Sequence, residues 1–72
     1  MQPIAPEMVL GKSVLDGHGG FLGEIVDVGL YTHDRVKFLV VEDKGRRVPI
    51  RTVGVDAIDS VDIDSVHVRV RA

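Results

Sequence analysis

The sequence predicts an all-β protein, a small β-barrel of five or six short strands with at most one short helical turn. The chain has 72 residues, which is enough for one domain and too few for two. Short segments rich in β-branched residues follow one another along it, and glycine-containing turns separate them. Closing such strands into a barrel removes exposed strand edges, so a barrel is the expected architecture.

Residues 1–7 are expected to form an extended N-terminal tail, and residues 8–72 a single domain. A first strand is predicted within residues 8–15, with Gly11 marking a bulge or a close approach of two backbones. The five residues 16–20 read Asp-Gly-His-Gly-Gly and give the clearest turn signal in the chain. An Asp-Gly pair between β-prone segments predicts a hairpin.

A second strand is predicted from Phe21 onwards and a third over residues 36–42. The third strand has apolar residues on both faces, which is typical of a strand covered on both sides. In so small a barrel, a partner subunit is the simplest second cover. Strict alternation divides the third strand into one face with Val36, Phe38 and Val40 and another with Lys37, Leu39 and Val41.

Residues 46–51 predict a fourth strand, which Pro49 should confine to a sheet edge or a bulge because proline has no N–H. Residues 52–58 have apolar spacing that allows one short helical turn. In the last segment the apolar positions change parity near Asp64 and Ser65. A turn or bulge there would divide the segment into two short strands.

Composition narrows the possible functions. The chain has no cysteine, which excludes disulfides and thiolate metal sites and fits a cytoplasmic protein. A net charge of −2 and 4% aromatic residues do not favour DNA as a partner. The longest apolar run, residues 38–41, is too short for direct membrane insertion. Because a chain of this size buries a small core, we expect it to self-associate as a homodimer.

No catalytic, metal or cofactor site is expected. His18, His33 and His67 lack the paired spacing of zinc ligands. Four aspartates fall within residues 56–64 without the glycine and glutamate that a calcium loop needs, so they are interpreted as solvent-facing. No serine has the context of an activated nucleophile. The chain is therefore predicted not to be an enzyme.

Arginines concentrate in the second half of the chain. If the fourth and last strands are neighbours, these residues form a basic stripe that could bind phosphate or carboxylate groups. Two interpretations remain open: a solvated face paired with the aspartates, or a surface for RNA or an acidic protein. The residues concerned are Arg46, Arg47, Arg51, Arg69 and Arg71.

Several stretches together resemble the PRC-barrel family. They are L-G-K-S-V-L-D from residue 10, L-G-E-I-V-D-V from residue 22, V-K-F-L-V-V from residue 36 and R-V-P-I from residue 47. The resemblance covers roughly residues 8–70. It implies a small barrel that docks to proteins or RNA–protein particles, without catalytic residues. The structural positions it implies are Gly11, Gly17, Gly23, Asp27 and Pro49.

These observations lead to two functional hypotheses. The first is a stand-alone PRC-barrel adaptor, a homodimer that acts through protein–protein contact. Its predicted contact surface is Lys37, Leu39 and Val41 on the outward face of the third strand. The alternative is an RNA-binding or ribosome-associated protein, as in RNA processing or ribosome maturation, which uses the arginine stripe.

Overall fold

The computed structural model describes residues 4–32, 35–43 and 50–69. Strands dominate these residues, and the helical content consists of two 3-10 turns, Pro6–Met8 and Val55–Ala57. The all-β class and the short helical turn predicted within residues 52–58 are confirmed, and Pro6–Met8 forms a second turn beyond the one that was predicted. The strands are β1 (Ser13–Leu15), β2 (Phe21–Thr32), β3 (Arg35–Glu42), β4 (Ile50–Gly54), β5 (Ile58–Val61) and β6 (Ser65–Val68).

The described strands form a single curled sheet in the order β4-β3-β2-β1-β6-β5. Neighbouring strands pair antiparallel, except that β1 and β6 run parallel. The two edge strands, β4 and β5, are consecutive in the chain and are joined by the Val55–Ala57 turn. Because three residues span at most about 10 Å, the sheet must curl until its two edges lie close together. This curl produces the barrel-like shape.

Bulges bend β2 around the barrel. Its pairing with β3 shifts register between Ile25 and Asp27, again at Gly29–Leu30 and again between Leu30 and Thr32. The first and third shifts add Val26 and Tyr31 to β2, and the second adds Lys37 to β3; each bulge bends its strand and increases its twist. The 12-residue strand can therefore pair with β1 through its first residues and with β3 along the rest.

Gly23 allows a close contact between the backbones of β2 and β3. Its φ of +147° belongs to a region that L side chains rarely adopt. A Cβ placed there would lie 2.5 Å from the carbonyl oxygen of Glu42 and 2.8 Å from Cγ1 of Val41. Glycine at this position therefore lets β2 approach β3 at the point where β2 passes from one neighbour to the other.

The core fills the inner side of the curled sheet with aliphatic side chains. The final strand contributes Val66 and Val68, in agreement with the parity predicted for the last segment. Among the described residues no polar or charged residue is buried. The buried residues are Ile4, Val9, Val14, Leu22, Ile25, Val36, Leu39, Val41, Val53, Ile58, Val66 and Val68.

The N-terminal segment differs from the predicted extended tail. Ile4 is buried in the core, and its carbonyl oxygen accepts a hydrogen bond of 2.8 Å from the N–H of Val36. Pro6–Met8 forms a 3-10 turn with proline in its first position, where the missing N–H is harmless. The first strand is consequently shorter than predicted, and Gly11 (φ +83°) lies in the turn before it. Burial of Ile4 ties this segment to the domain.

The Asp16–Gly20 turn is confirmed as the β1–β2 hairpin connection. The carboxylate Oδ1 of Asp16 accepts hydrogen bonds from the N–H of Gly20 at 2.7 Å and of His18 at 2.8 Å. Gly17, one of the implied family positions, lies in this turn with open space around it. Hydrogen bonds between an aspartate carboxylate and the N–H groups of the next few residues stabilise a turn of this kind.

We predict that Gly23→Ala destabilises the protein by at least about 2 kcal/mol, because the left-handed φ and the contact with the Glu42 carbonyl both oppose a Cβ. Thermal and urea unfolding followed by circular dichroism would measure the loss. The matched control is Gly54→Ala, where a Cβ meets nothing within 4 Å. That variant should be unchanged or slightly stabilised, and equal stability of the two variants would contradict the assigned role of Gly23.

A second prediction concerns pH. The hydrogen bonds from Gly20 and then His18 lower the pKa of Asp16 below its ordinary value of 3.8. A lowered folded-state pKa stabilises the fold above the ordinary value, and this contribution is lost as pH falls through the folded-state pKa. Asp16→Asn keeps the hydrogen-bond acceptor without the ionisation. Its urea midpoint should fall less steeply below pH 4 than that of the wild type, and equal slopes would contradict the role assigned to the Asp16 carboxylate.

Candidate interaction surfaces

The outward face of β3 carries Phe38 and Val40, so the surface predicted from Leu39 and Val41 is wrong. Leu39 is 0% and Val41 1% exposed, and both lie in the core. Lys37, the third residue of that predicted surface, is exposed. Directly opposite residues in a ladder point to the same face, and Leu39 pairs with buried Val53. A partner cannot reach Leu39 or Val41 without opening the core.

A bulge at Lys37 explains the error. Gly29 pairs with Phe38 and Leu30 pairs with Val36, which leaves Lys37 as an extra residue in β3. The buried parity therefore changes along the strand, from Val36 before the bulge to Leu39 after it. Strict alternation from Val36 would have placed Phe38 and Val40 inside.

Phe38 lies over Gly29 on the outer side of the sheet. A Cβ built on Gly29 would collide with the Phe38 ring, so the ring occupies the space that the missing side chain leaves. Such cross-strand aromatic contacts compensate for glycine in a strand. Phe38 is consequently half-buried by its own chain and still presents ring surface to solvent.

Two bulged residues continue this face. Tyr31 is the extra residue of β2 between Leu30 and Thr32, and it is 60% exposed. The Lys37 ammonium lies 5.6 Å from the centre of the Tyr31 ring, within the range of a cation–π contact. Asp27 is exposed opposite Val40 and accepts the N–H of Val28 at 2.8 Å. We call Asp27, Tyr31, Lys37, Phe38 and Val40 the outer β2–β3 face.

Two residues of the predicted arginine stripe, Arg51 and Arg69, lie within the described residues. Arg51 is on β4 and Arg69 follows β6, and these strands are not paired neighbours, because β5 lies between them where the curled sheet brings its edges together. Arg69 Nε lies 3.2 Å from Asp59 Oδ1, and its Nη2 donates to the carbonyl oxygen of Asp56. Arg69 is thus engaged with the aspartate-containing segment. Arg46, Arg47 and Arg71 lie outside the described residues, as does Pro49.

The aspartates of residues 56–64 are exposed, as predicted, and they are Asp56, Asp59, Asp62 and Asp64. His18 is also exposed and His67 is half-buried, whereas His33 lies outside the described residues. His67 Nε2 lies 3.2 Å from Asp62 Oδ2, which ties β6 to the β5–β6 turn. Within residues 4–32, 35–43 and 50–69 no three histidine or acidic side chains are grouped as metal ligands would be. No helix in these ranges is long and apolar enough to cross a membrane.

Three exposed apolar residues surround one end of β1, a feature that the sequence analysis missed. Leu10 precedes Gly11, whose N–H donates to the Ile25 carbonyl at 2.9 Å, and Val26 follows Ile25. Ile63 lies in the β5–β6 turn on the other side of β1. Their exposed fractions are 45% for Leu10, 44% for Val26 and 90% for Ile63. We call these three residues the junction patch.

One signal for Ile63 was present in the sequence. An isolated isoleucine between two aspartates, at the point where strand parity changes, has little chance of lying in a core. Val26 gave no such signal, because its exposure depends on the bulge opposite Val40 and Val41.

We predict that Leu39→Ala lowers the free energy of unfolding by about 2–5 kcal/mol, as deletion of a fully buried leucine does. Val40→Ala, on the opposite face of the same strand, should lower it by about 1 kcal/mol or less. Urea denaturation at one protein concentration would compare the two variants. If Leu39→Ala were as stable as wild type but associated more weakly, Leu39 would lie in an interface and not in the core.

Comparison with known proteins gives no family for the chain. No protein-family model matches the sequence, and no curated protein matches it at a significant level. The resemblance to the PRC-barrel pattern therefore stays a prediction, and the functional proposal depends on the fold and on the surfaces described above.

Proposed function

We propose that this chain is a cytoplasmic, non-catalytic interaction module of the PRC-barrel type, which self-associates through the outer β2–β3 face. The observation that carries the proposal is the apolar outward side of β3. Phe38 and Val40 present apolar surface there, although the inward side of the strand already forms the core. The proposal agrees with the adaptor role predicted from the sequence. Its contact residues on β3 are Phe38 and Val40 instead of Leu39 and Val41.

Burial of this face would stabilise a small domain appreciably. Removing apolar surface from water contributes about 25 cal/mol per Å². Tyr31 is 60% exposed, and aromatic rings are frequent anchors of protein interfaces. A domain of this size has only a few kcal/mol of net stability, so even a dimer interface of modest area would raise its stability by a large fraction.

The charges of the face are compatible with a second copy of the same surface. In a two-fold symmetric dimer, each residue of the patch meets the same patch on the other subunit. The outer β2–β3 face carries both signs, with exposed Asp27 at one end and exposed Lys37 near the other. An antiparallel arrangement of two such faces can pair Lys37 of each subunit with Asp27 of the other.

The self-association test compares Val40→Lys with the wild type by sedimentation velocity over a range of concentrations. The lysine stem can lie on the sheet while its ammonium stays in water, so the fold should persist. We expect wild-type protein to dimerise and Val40→Lys to be monomeric at the same concentration. Ile63→Ser, in the junction patch, is the control and should dimerise normally. A monomeric wild type at hundreds of micromolar would refute the proposal.

A charge exchange tests the symmetric arrangement directly. Asp27→Lys and Lys37→Asp should each dimerise more weakly than wild type, because each places like charges opposite one another. Mixing the two variants should restore dimers, since both contacts in the mixed pair are again between opposite charges. Native mass spectrometry distinguishes the mixed dimer from either homodimer. Equal association of all species would show that these two residues do not meet.

A further inference from the structure

We infer that the junction patch, Leu10, Val26 and Ile63, is a second docking surface, which takes a protein segment carrying an apolar anchor flanked by basic side chains. This inference does not depend on self-association through the outer β2–β3 face. The junction patch is built around a different part of the sheet, the beginning of β1, and differs from that face in charge.

Backbone hydrogen bonds place the sequence neighbours of the three residues around the beginning of β1. On one side of β1, Gly11 donates to Ile25, and Ile25 in turn donates to the Lys12 carbonyl, each at 2.9 Å. On the other side, Ser13 donates to the Asp64 carbonyl at 3.1 Å. Each patch residue is next in sequence to one of these bonded residues. The patch is therefore fixed by the sheet itself.

Three contacts stabilise the turn that carries Ile63. The N–H of Asp62 donates to the Ser65 carbonyl at 2.8 Å, and the Lys12 ammonium donates to the Asp62 carbonyl at 2.6 Å. The Asp62 carboxylate also lies 3.2 Å from His67. These contacts fix the backbone of the turn, which presents Ile63 with 90% of its surface exposed. Preorganisation reduces the entropy lost when a partner binds.

A bulge accounts for the exposure of Val26. Asp27 pairs with Val40 and Ile25 pairs with Val41, so Val26 is the extra residue. Its neighbour Ile25 points into the core, whereas Val26 is re-aimed to the surface beside the Gly11–Ile25 bond. Bulges commonly redirect a side chain in this way.

The charge around the patch identifies the kind of partner. Exposed acidic residues lie near two of the three apolar ones: Glu7 in the turn before Leu10, and Asp62 and Asp64 on either side of Ile63. The ammonium of Lys12, within the same junction, is directed to a backbone carbonyl. Two copies meeting through this patch would set acidic rims against each other. A basic rim around an apolar anchor complements it, and steers association as well.

The test is selection of random dodecapeptides displayed on phage against the immobilised wild-type chain, with prior depletion on an Ile63→Ser, Val26→Ser double variant. Selected peptides should carry an apolar anchor between lysines or arginines. Their affinity, measured by fluorescence anisotropy, should fall by at least about tenfold on Ile63→Ser and on the charge reversal Asp64→Lys. Tyr31→Ser, at the far end of the outer β2–β3 face, should bind them as wild type does.

Three results would overturn the inference. The first is the absence of any peptide that depends on Ile63, although the Ile63→Ser chain keeps the wild-type melting temperature. The second is selection of peptides with acidic flanks or no charge preference. The third is loss of self-association in Ile63→Ser, because the occupant would then be a second copy of the chain. Failure of Val40→Lys to disrupt dimers would refute only the self-association proposal.

Discussion

The close approach of β2 to β3 at Gly23 is the constraint on which the rest of the structure depends. At this point β2 passes from pairing with β1 to pairing with β3, and the carbonyl of Glu42 lies where a Cβ would be. Further along β2, register shifts bend the strand. Without this bending the two edge strands, which only Val55–Ala57 connects, could not lie close together. The inner side of the sheet would then not enclose its aliphatic side chains.

Features that depend on local chemistry could be predicted from the sequence. The Asp16–Gly20 turn, the helical turn before β5 and the inward parity of Val66 and Val68 all follow from residues close together in the chain. The parallel pairing of β1 with β6 could not be predicted in this way, because it joins residues about 50 positions apart and has no turn sequence of its own.

The error on β3 has the same origin. A period of two assumes an uninterrupted ladder, and a single bulge moves every later side chain to the other face. The bulge at Lys37 is defined by which β2 residues lie opposite, namely Gly29 and Leu30. Nothing in the sequence V-K-F-L-V-V distinguishes a regular strand from a bulged one, since both faces are apolar. Burial of Leu39 and Val41 becomes evident only when the pairing is known.

The bulges that curl the sheet also create its surfaces. Lys37 and Tyr31 are the extra residues of two bulges and contact each other on the outer β2–β3 face. Val26 is the extra residue of a third and belongs to the junction patch. A bulged residue does not belong to the alternation of inward and outward side chains along its strand. It can therefore face solvent without leaving a gap in the core. A chain this small can in this way use apolar side chains for two separate contacts while its inner side stays filled. The outer β2–β3 face has charges of both signs, as the proposed self-association needs, and aspartates flank Ile63 in the junction patch, as the proposed docking of a basic segment needs.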